Sequence, residues 1–189
     1  IQRNEPEIWK RTKRLLTPYG YVIYRLTGSE SFDYCSAGNV GGIFDMRTRD
    51  WSADLLKEMK IPRSYFPDSL VESWEVVGRI SEEGARMTGL AVGTPVSAGG
   101  VDAAVATLSA GSFAEGDHVA MIGTSMAYGV IHDGDRYNKQ IISMPHVVRA
   151  KDTVYSFAGA TTAGGIAKWF REQLAQVEKL MGSIVDVDP

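Results

Sequence analysis

The texture of the chain changes at Gly111, and that change constrains the fold more than any other feature. Beyond it, His118 to Ile122, Met126 to Ile131, Gln140 to Val148 and Thr153 to Phe157 are short apolar or alternating runs. They are joined by Gly/Asp turns such as Asp133-Gly134-Asp135. Such segments read as strands of one sheet. Ahead of Gly111 helix signals dominate, so an α/β chain is expected, with a boundary dividing residues 1–110 from residues 111–189.

The helix signals are specific. Asn4 with Glu7 predicts a capped helix near 6–16, interrupted by Pro18. Tyr19 to Leu26 reads as a short buried helix closed by Gly28. Ser52 caps a helix over 53–59, and Ser81 caps another to about Thr88, with Gly89 beyond its end. Asp33 to Gly42 is polar and glycine-rich and reads as a loop. Val76 to Ile80 and the run at Val96 read as extended. At the end, Ile166, Trp169, Phe170, Leu174, Val177 and Leu180/Met181 recur at helical spacing behind Gly164-Gly165.

Composition excludes several classes. The 189 residues hold 20 Lys and Arg against 23 Asp and Glu, a formal net charge of −3, so no nucleic-acid footprint and no attraction to an anionic membrane are expected. Hydrophobic residues make up 44%, enough for a packed core. No run approaches the length of a membrane span. Cys35 is the only cysteine, which excludes an internal disulfide and cysteine-paired zinc, and a reducing compartment, the cytoplasm, fits best. The lead-in Ile1 to Pro6 and the tail Gly182 to Pro189 read as the ends of an internal piece of a longer protein.

Chemistry concentrates in three places. In Pro95-Val96-Ser97-Ala98-Gly99-Gly100-Val101-Asp102-Ala103-Ala104 an apolar run meets two glycines and then a carboxylate that opens a helix. The glycines let a ligand approach the main chain, and the helix dipole favours the ionised acid. Asp102 is therefore either a capping residue or a proton acceptor. Ile122-Gly123-Thr124-Ser125 is a hairpin turn whose N–H and O–H groups suit phosphate oxygens. Gly164-Gly165 either relieves crowding where helix meets sheet or offers amides to an anion, with Lys168 one turn on. A base beside a phosphate cradle suggests phosphoryl transfer. The three histidines, His118, His132 and His146, lack helical metal spacing and read as structural. Neither a P-loop nor a dinucleotide fingerprint is present.

The ordered series Tyr24-Arg25-Leu26-Thr27-Gly28, Asp33 to Ala37, Thr48-Arg49-Asp50-Trp51, Gly93-Thr94-Pro95-Val96, Gly99 to Ala104, Gly116-Asp117, Gly123-Thr124-Ser125 and Ala163-Gly164-Gly165 resembles the FGGY family of carbohydrate kinases. The resemblance implies the actin/hexokinase-like, ribonuclease H-like ATPase fold. Residues 1–110 would end the sugar-binding first domain, and 111–189 would begin the nucleotide-binding second. It implies ATP and Mg2+ as cofactors and a small-molecule sugar or polyol as acceptor, with a pentulose such as xylulose preferred. Asp102 would be the catalytic base and a substrate ligand, Gly123 and Thr124 would meet the transferred phosphate, and Gly164 and Lys168 would lie toward the nucleotide. A homodimer of the full-length protein is compatible with this reading. The family's N-terminal phosphate hairpin and later adenosine motif are missing, so the piece alone is expected to be inactive. Two alternatives stand beside it: a non-catalytic sugar- or nucleotide-binding member, and a serine hydrolase, because Gly123-Thr124-Ser125-Met126-Ala127 is close to a nucleophile elbow.

Overall fold

The computed structural model describes residues 1–134, 137, 138 and 140–185. Helices are the main regular elements of the first part: α1 (Pro6–Arg11), α2 (Pro18–Thr27), α3 (Tyr34–Asn39), α4 (Ala53–Glu58), α5 (Glu82–Thr88) and α6 (Asp102–Ser109). A hairpin of β1 (Phe44–Asp45) and β2 (Asp50–Trp51) and an antiparallel pair of β3 (Val76–Arg79) and β4 (Pro95–Ser97) lie between the helices. Thr17, Ser52 and Ser81 each cap their helix through the side-chain oxygen, and Gly28 and Gly89 close α2 and α5 in the left-handed conformation.

Two local expectations are corrected. The first helix ends at Arg11 because Thr12 turns extended, and Asn4 forms no cap there, since Glu5 occupies the capping position without a side-chain bond. The polar stretch from Asp33 is not a loop throughout: the Asp33 carboxylate accepts the Ser36 amide and starts α3, which buries Cys35, Ser36 and Ala37.

After α6 the chain builds an antiparallel sheet in the order β5 (His118–Ile122), β6 (Met126–Asp133), β8 (Thr153–Ala160) and β7 (Ile142–Pro145). Asp135 of the expected turn lies outside the described residues, as do residues 186–189. Period-two alternation puts Val119, Ile131, Met144 and Tyr155 on one face, where they are buried against Cys35, Ala104 and Val147. A second core gathers Phe32, Phe44, Trp51, Leu56 and Phe66. The C-terminal helical pattern divides into α7 (Gly164–Gln173) and α8 (Gln176–Val185) instead of running through.

Where α6 meets the sheet, His146 is fully buried, and its Nε2 lies 2.8 Å from the Thr107 hydroxyl. Its Nδ1 has no partner among the described residues, and burial pulls the imidazole pKa down to about 4. The unfolded chain therefore takes up a proton below about pH 6.5 that the folded chain refuses until about pH 4, so stability falls as pH falls through that window. Buried Asp33, whose pKa is raised by desolvation, contributes in the opposite sense. Chemical denaturation of wild type and His146→Gln isolates the histidine contribution. Between about pH 7 and about pH 4.5 the wild type is expected to lose about 2 kcal/mol relative to the variant, an allowance for solvent screening included. Parallel pH profiles would remove His146 from that role.

Candidate active site

The approach to Asp102 is held from several sides. The Ala98 and Gly99 amides donate to the carbonyls of Glu75 and Ser73 at 2.9 Å. Gly99 has φ +74°, where a side chain is strained, and the Tyr19 ring lies against it. Beneath the turn, the Tyr19 hydroxyl donates to buried Asp33, and desolvation with that carboxylate keeps the phenol protonated. Cys35 is buried nearby, and burial pushes its thiol pKa up to about 12, so it is inert packing.

Val101, with φ −62° and ψ 133°, takes the capping position, which leaves Asp102 as the first residue of α6. The capping reading therefore does not describe Asp102. Among the described residues its Oδ1 accepts only the adjacent Ala103 amide, at 2.7 Å, and the side chain is exposed. Among the described residues it forms no ion pair. A carboxylate at a helix N-terminus with open lone pairs can accept a proton from a bound hydroxyl.

The second turn is the β5–β6 hairpin, in which Ile122 pairs with Met126 and residues 123–125 form the loop. Its carbonyls face the last helices: Gly164 N–H donates to the Gly123 carbonyl at 2.9 Å, and Ala163 N–H to the Thr124 carbonyl at 2.8 Å. A Cβ at Gly164 would stand 2.5 Å from the Gly123 oxygen, so crowding accounts for that glycine. The start of α7 thus spends these amides on the hairpin. The Thr124 and Ser125 amides, by contrast, donate to no protein acceptor among the described residues and remain available to an oxyanion.

Asp102, Ala103 and Ala106 of α6 face Gly123, Ser125 and Met126 across one open cleft of about 450 Å³. The structure brings Asp102 and the hairpin together. Ser125 lines this wall, while the Thr124 methyl lies 3.7 Å from where a Gly165 Cβ would stand, toward α7. Two adjacent hydroxyl residues in a tight loop gave the sequence no means to tell which faces the cleft. Lys168 is not in it: exposed on α7, it lies 3.8 Å from Glu172 and lines a separate groove with Phe170 and Arg171. The hydrolase alternative fails on geometry, because Ser125 is followed by strand β6 and not by the helix a nucleophile elbow requires.

Among the described residues no group of three or more His, Cys, Asp or Glu could cage a metal ion. One carboxylate in an open cleft fits a Mg2+ that keeps most of its water and phosphate ligands, with Asp102 as the nearby anion.

The family model for the N-terminal domain of the FGGY carbohydrate kinases matches residues 1–109. The chain belongs to the FGGY family of carbohydrate kinases. The xylulose kinase of Bacillus subtilis strain 168 is 30% identical over 181 residues, which is 94% of this chain and 35% of that protein. The L-fuculokinase of Escherichia coli strain K12 is 35% identical over 112 residues, 59% of this chain and 23% of that protein. The crystal structure of xylulose kinase from Rhodospirillum rubrum superposes with a TM-score of 0.85 at 25% identity, covering 97% of this chain and 37% of that one. The fold is thus the actin/hexokinase-like one of the FGGY sugar kinases. The match spans about a third of the length of the two xylulose kinases and under a quarter of the fuculokinase.

Proposed function

We propose that this chain is the part of an ATP-dependent carbohydrate kinase in which the end of the sugar-binding domain, residues 1–110, meets the start of the nucleotide-binding domain, residues 111–189. The observation that carries the reading is the shared cleft between Asp102 and the Gly123–Ser125 hairpin. In it, Asp102 binds the acceptor hydroxyl and takes its proton as the oxygen bonds to the terminal phosphorus and the bond to the departing ADP breaks. Gly123 and Thr124 meet the transferred phosphoryl group through the loop, whose unpaired Thr124 and Ser125 amides stabilise charge on its oxygens. Gly164 acts on the nucleotide side by holding the hairpin in place, and Lys168 serves further along the same helix. Mg2+ would arrive with the nucleotide, neutralising phosphate charge beside Asp102.

A pentulose such as xylulose is the preferred acceptor, supported by relatives that carry the name xylulose kinase at 94% or more of this chain's length. An L-fuculokinase also matches, over 59% of this chain, which sets the sugars to compare. A panel of pentuloses, deoxyhexuloses and polyols in a coupled ADP assay on the full-length protein tests it, with highest kcat/KM expected for xylulose. We place the protein in the cytoplasm, where a buried reduced thiol and an ATP supply are both at home.

The 189 residues alone are expected to release no ADP above background with any of these sugars, since only part of each binding surface is present. Sugar-dependent ADP release by this piece would overturn that expectation while leaving the kinase reading intact.

A further inference from the structure

A second cavity, of about 400 Å³, lies between the β1–β2 hairpin and the loop before β8, and shares no lining residue with the Asp102 cleft. Arg47, Arg49 and Lys151 converge on it, together with Asp133, Asp152 and Tyr137. Asp133 is already committed, 3.2 Å from Arg149. Among the described lining residues, that leaves Asp152 as the carboxylate without an ion pair, set against Arg47, Arg49 and Lys151.

Arg49 is the informative member. It is half-buried with φ 56°, in the left-handed region that a residue bearing a side chain enters at a cost of about 1 kcal/mol. Among the described residues its guanidinium donates to the Lys151 carbonyl at 3.3 Å and the Met46 sulfur at 3.6 Å and to no other group. No carboxylate lies within ion-pair distance of it among the described residues. Burial lowers its pKa, with Tyr137, Asp152 and Glu72 opposing, so the charge is partly desolvated without a close counter-ion. A guanidinium presents a planar fork of donors suited to bidentate oxyanions, and here most of that fork is unspent. Lys151 is held in place over the Tyr34 ring at 5.7 Å.

We propose that this cavity binds a phosphate group, either free or as a small phosphate ester, with Arg49 as the bidentate ligand and Arg47 and Lys151 completing the charge. The residues come from both sides of the proposed domain boundary, so an occupied site would tie the hairpin at 45–50 to the loop at 149–152.

The test is isothermal titration of the 189-residue chain with inorganic phosphate and, separately, with ribose 5-phosphate at low salt. Saturable binding is expected, weakened at least tenfold by Arg49→Gln and severalfold by the double variant of the exposed cations, Arg47→Gln with Lys151→Gln. The double variant keeps the test valid if Arg49→Gln does not fold. Tighter binding of ribose 5-phosphate than of phosphate assigns the site to an ester, and equal binding assigns it to the bare oxyanion. Absence of saturable binding, or binding that survives the double variant and so belongs to the hairpin at 123–125, overturns the proposal.

Discussion

Replacing Asp102 with Asn in the full-length protein is expected to lower kcat by about 10²–10⁴-fold, the range that removal of a positioned general base produces. The change is nearly isosteric. Asn retains an oxygen to accept the Ala103 amide, the one hydrogen bond the carboxylate makes among the described residues, so neither the start of α6 nor the cleft should alter. Thermal stability should shift by less than about 1 kcal/mol, because the residue is exposed and forms no ion pair among the described residues. ATP affinity should change little, since the nucleotide is proposed to sit on the hairpin side. The combination separates a base from a scaffold residue. Near-normal turnover in this variant would remove Asp102 from the chemistry, and a collapse of stability would return it to a structural role.

What made this site readable was local chemistry. The Gly99-Gly100-Val101-Asp102 order announces a tight turn and a helix start, and the structure supplies φ +74° at Gly99 and α6 from Asp102. The caps at Ser52 and Ser81 were legible because a hydroxyl ahead of a helical run has few better uses. The alternating segments past Gly111 gave the four strands, while their order required register information that no single segment carries. Misreadings fell where long-range packing overrode local pattern. Asp33 opens α3 although its neighbours are small and polar, because the helix is buried against the sheet, with Cys35 against Met144 and Gly38 against Pro145. Asn4 forms no cap because the turn just before α1 closes through main-chain contacts, the Glu5 amide on the Ile1 carbonyl.

The same distinction governs the glycine pair at the head of α7, whose sequence left crowding and anion binding equally open. In the structure, the Gly164 amide is occupied by the Gly123 carbonyl and its Cα faces that oxygen closely enough to exclude a methyl. Crowding explains the residue, yet the crowding partner is the hairpin at 123–125 that is proposed to meet phosphate. The glycine thereby acts on the second turn from behind, through main-chain bonds, without offering its own N–H to the anion.

Gly164→Ala is accordingly expected to destabilise the protein, against the sign that helix propensity alone would give. Alanine is favoured over glycine by about 1 kcal/mol within a helix. Here the added Cβ would meet the Gly123 oxygen at 2.5 Å and its carbonyl carbon at 3.4 Å, both main-chain atoms with no rotamer to escape into. Relief requires α7 to back away from the hairpin, lengthening the 2.9 Å Gly164 bond and straining the 2.8 Å Ala163 bond. Overpacking plus a weakened main-chain hydrogen bond costs about 2–4 kcal/mol, which exceeds the propensity gain and leaves a net loss of about 1–3 kcal/mol, or several degrees in Tm. Gly165→Ala is the internal comparison. Its Cβ would touch the Thr162 methyl at 3.0 Å, a side-chain atom, and the Thr124 oxygen at 3.5 Å, an ordinary contact, so its loss should be smaller. In the full-length protein, Gly164→Ala should also raise KM for ATP and lower kcat, because the hairpin proposed to meet the phosphoryl group is bonded to the start of this helix. Equal Tm values for the two variants would show that the hairpin and α7 are not locked together as the main-chain bonds require.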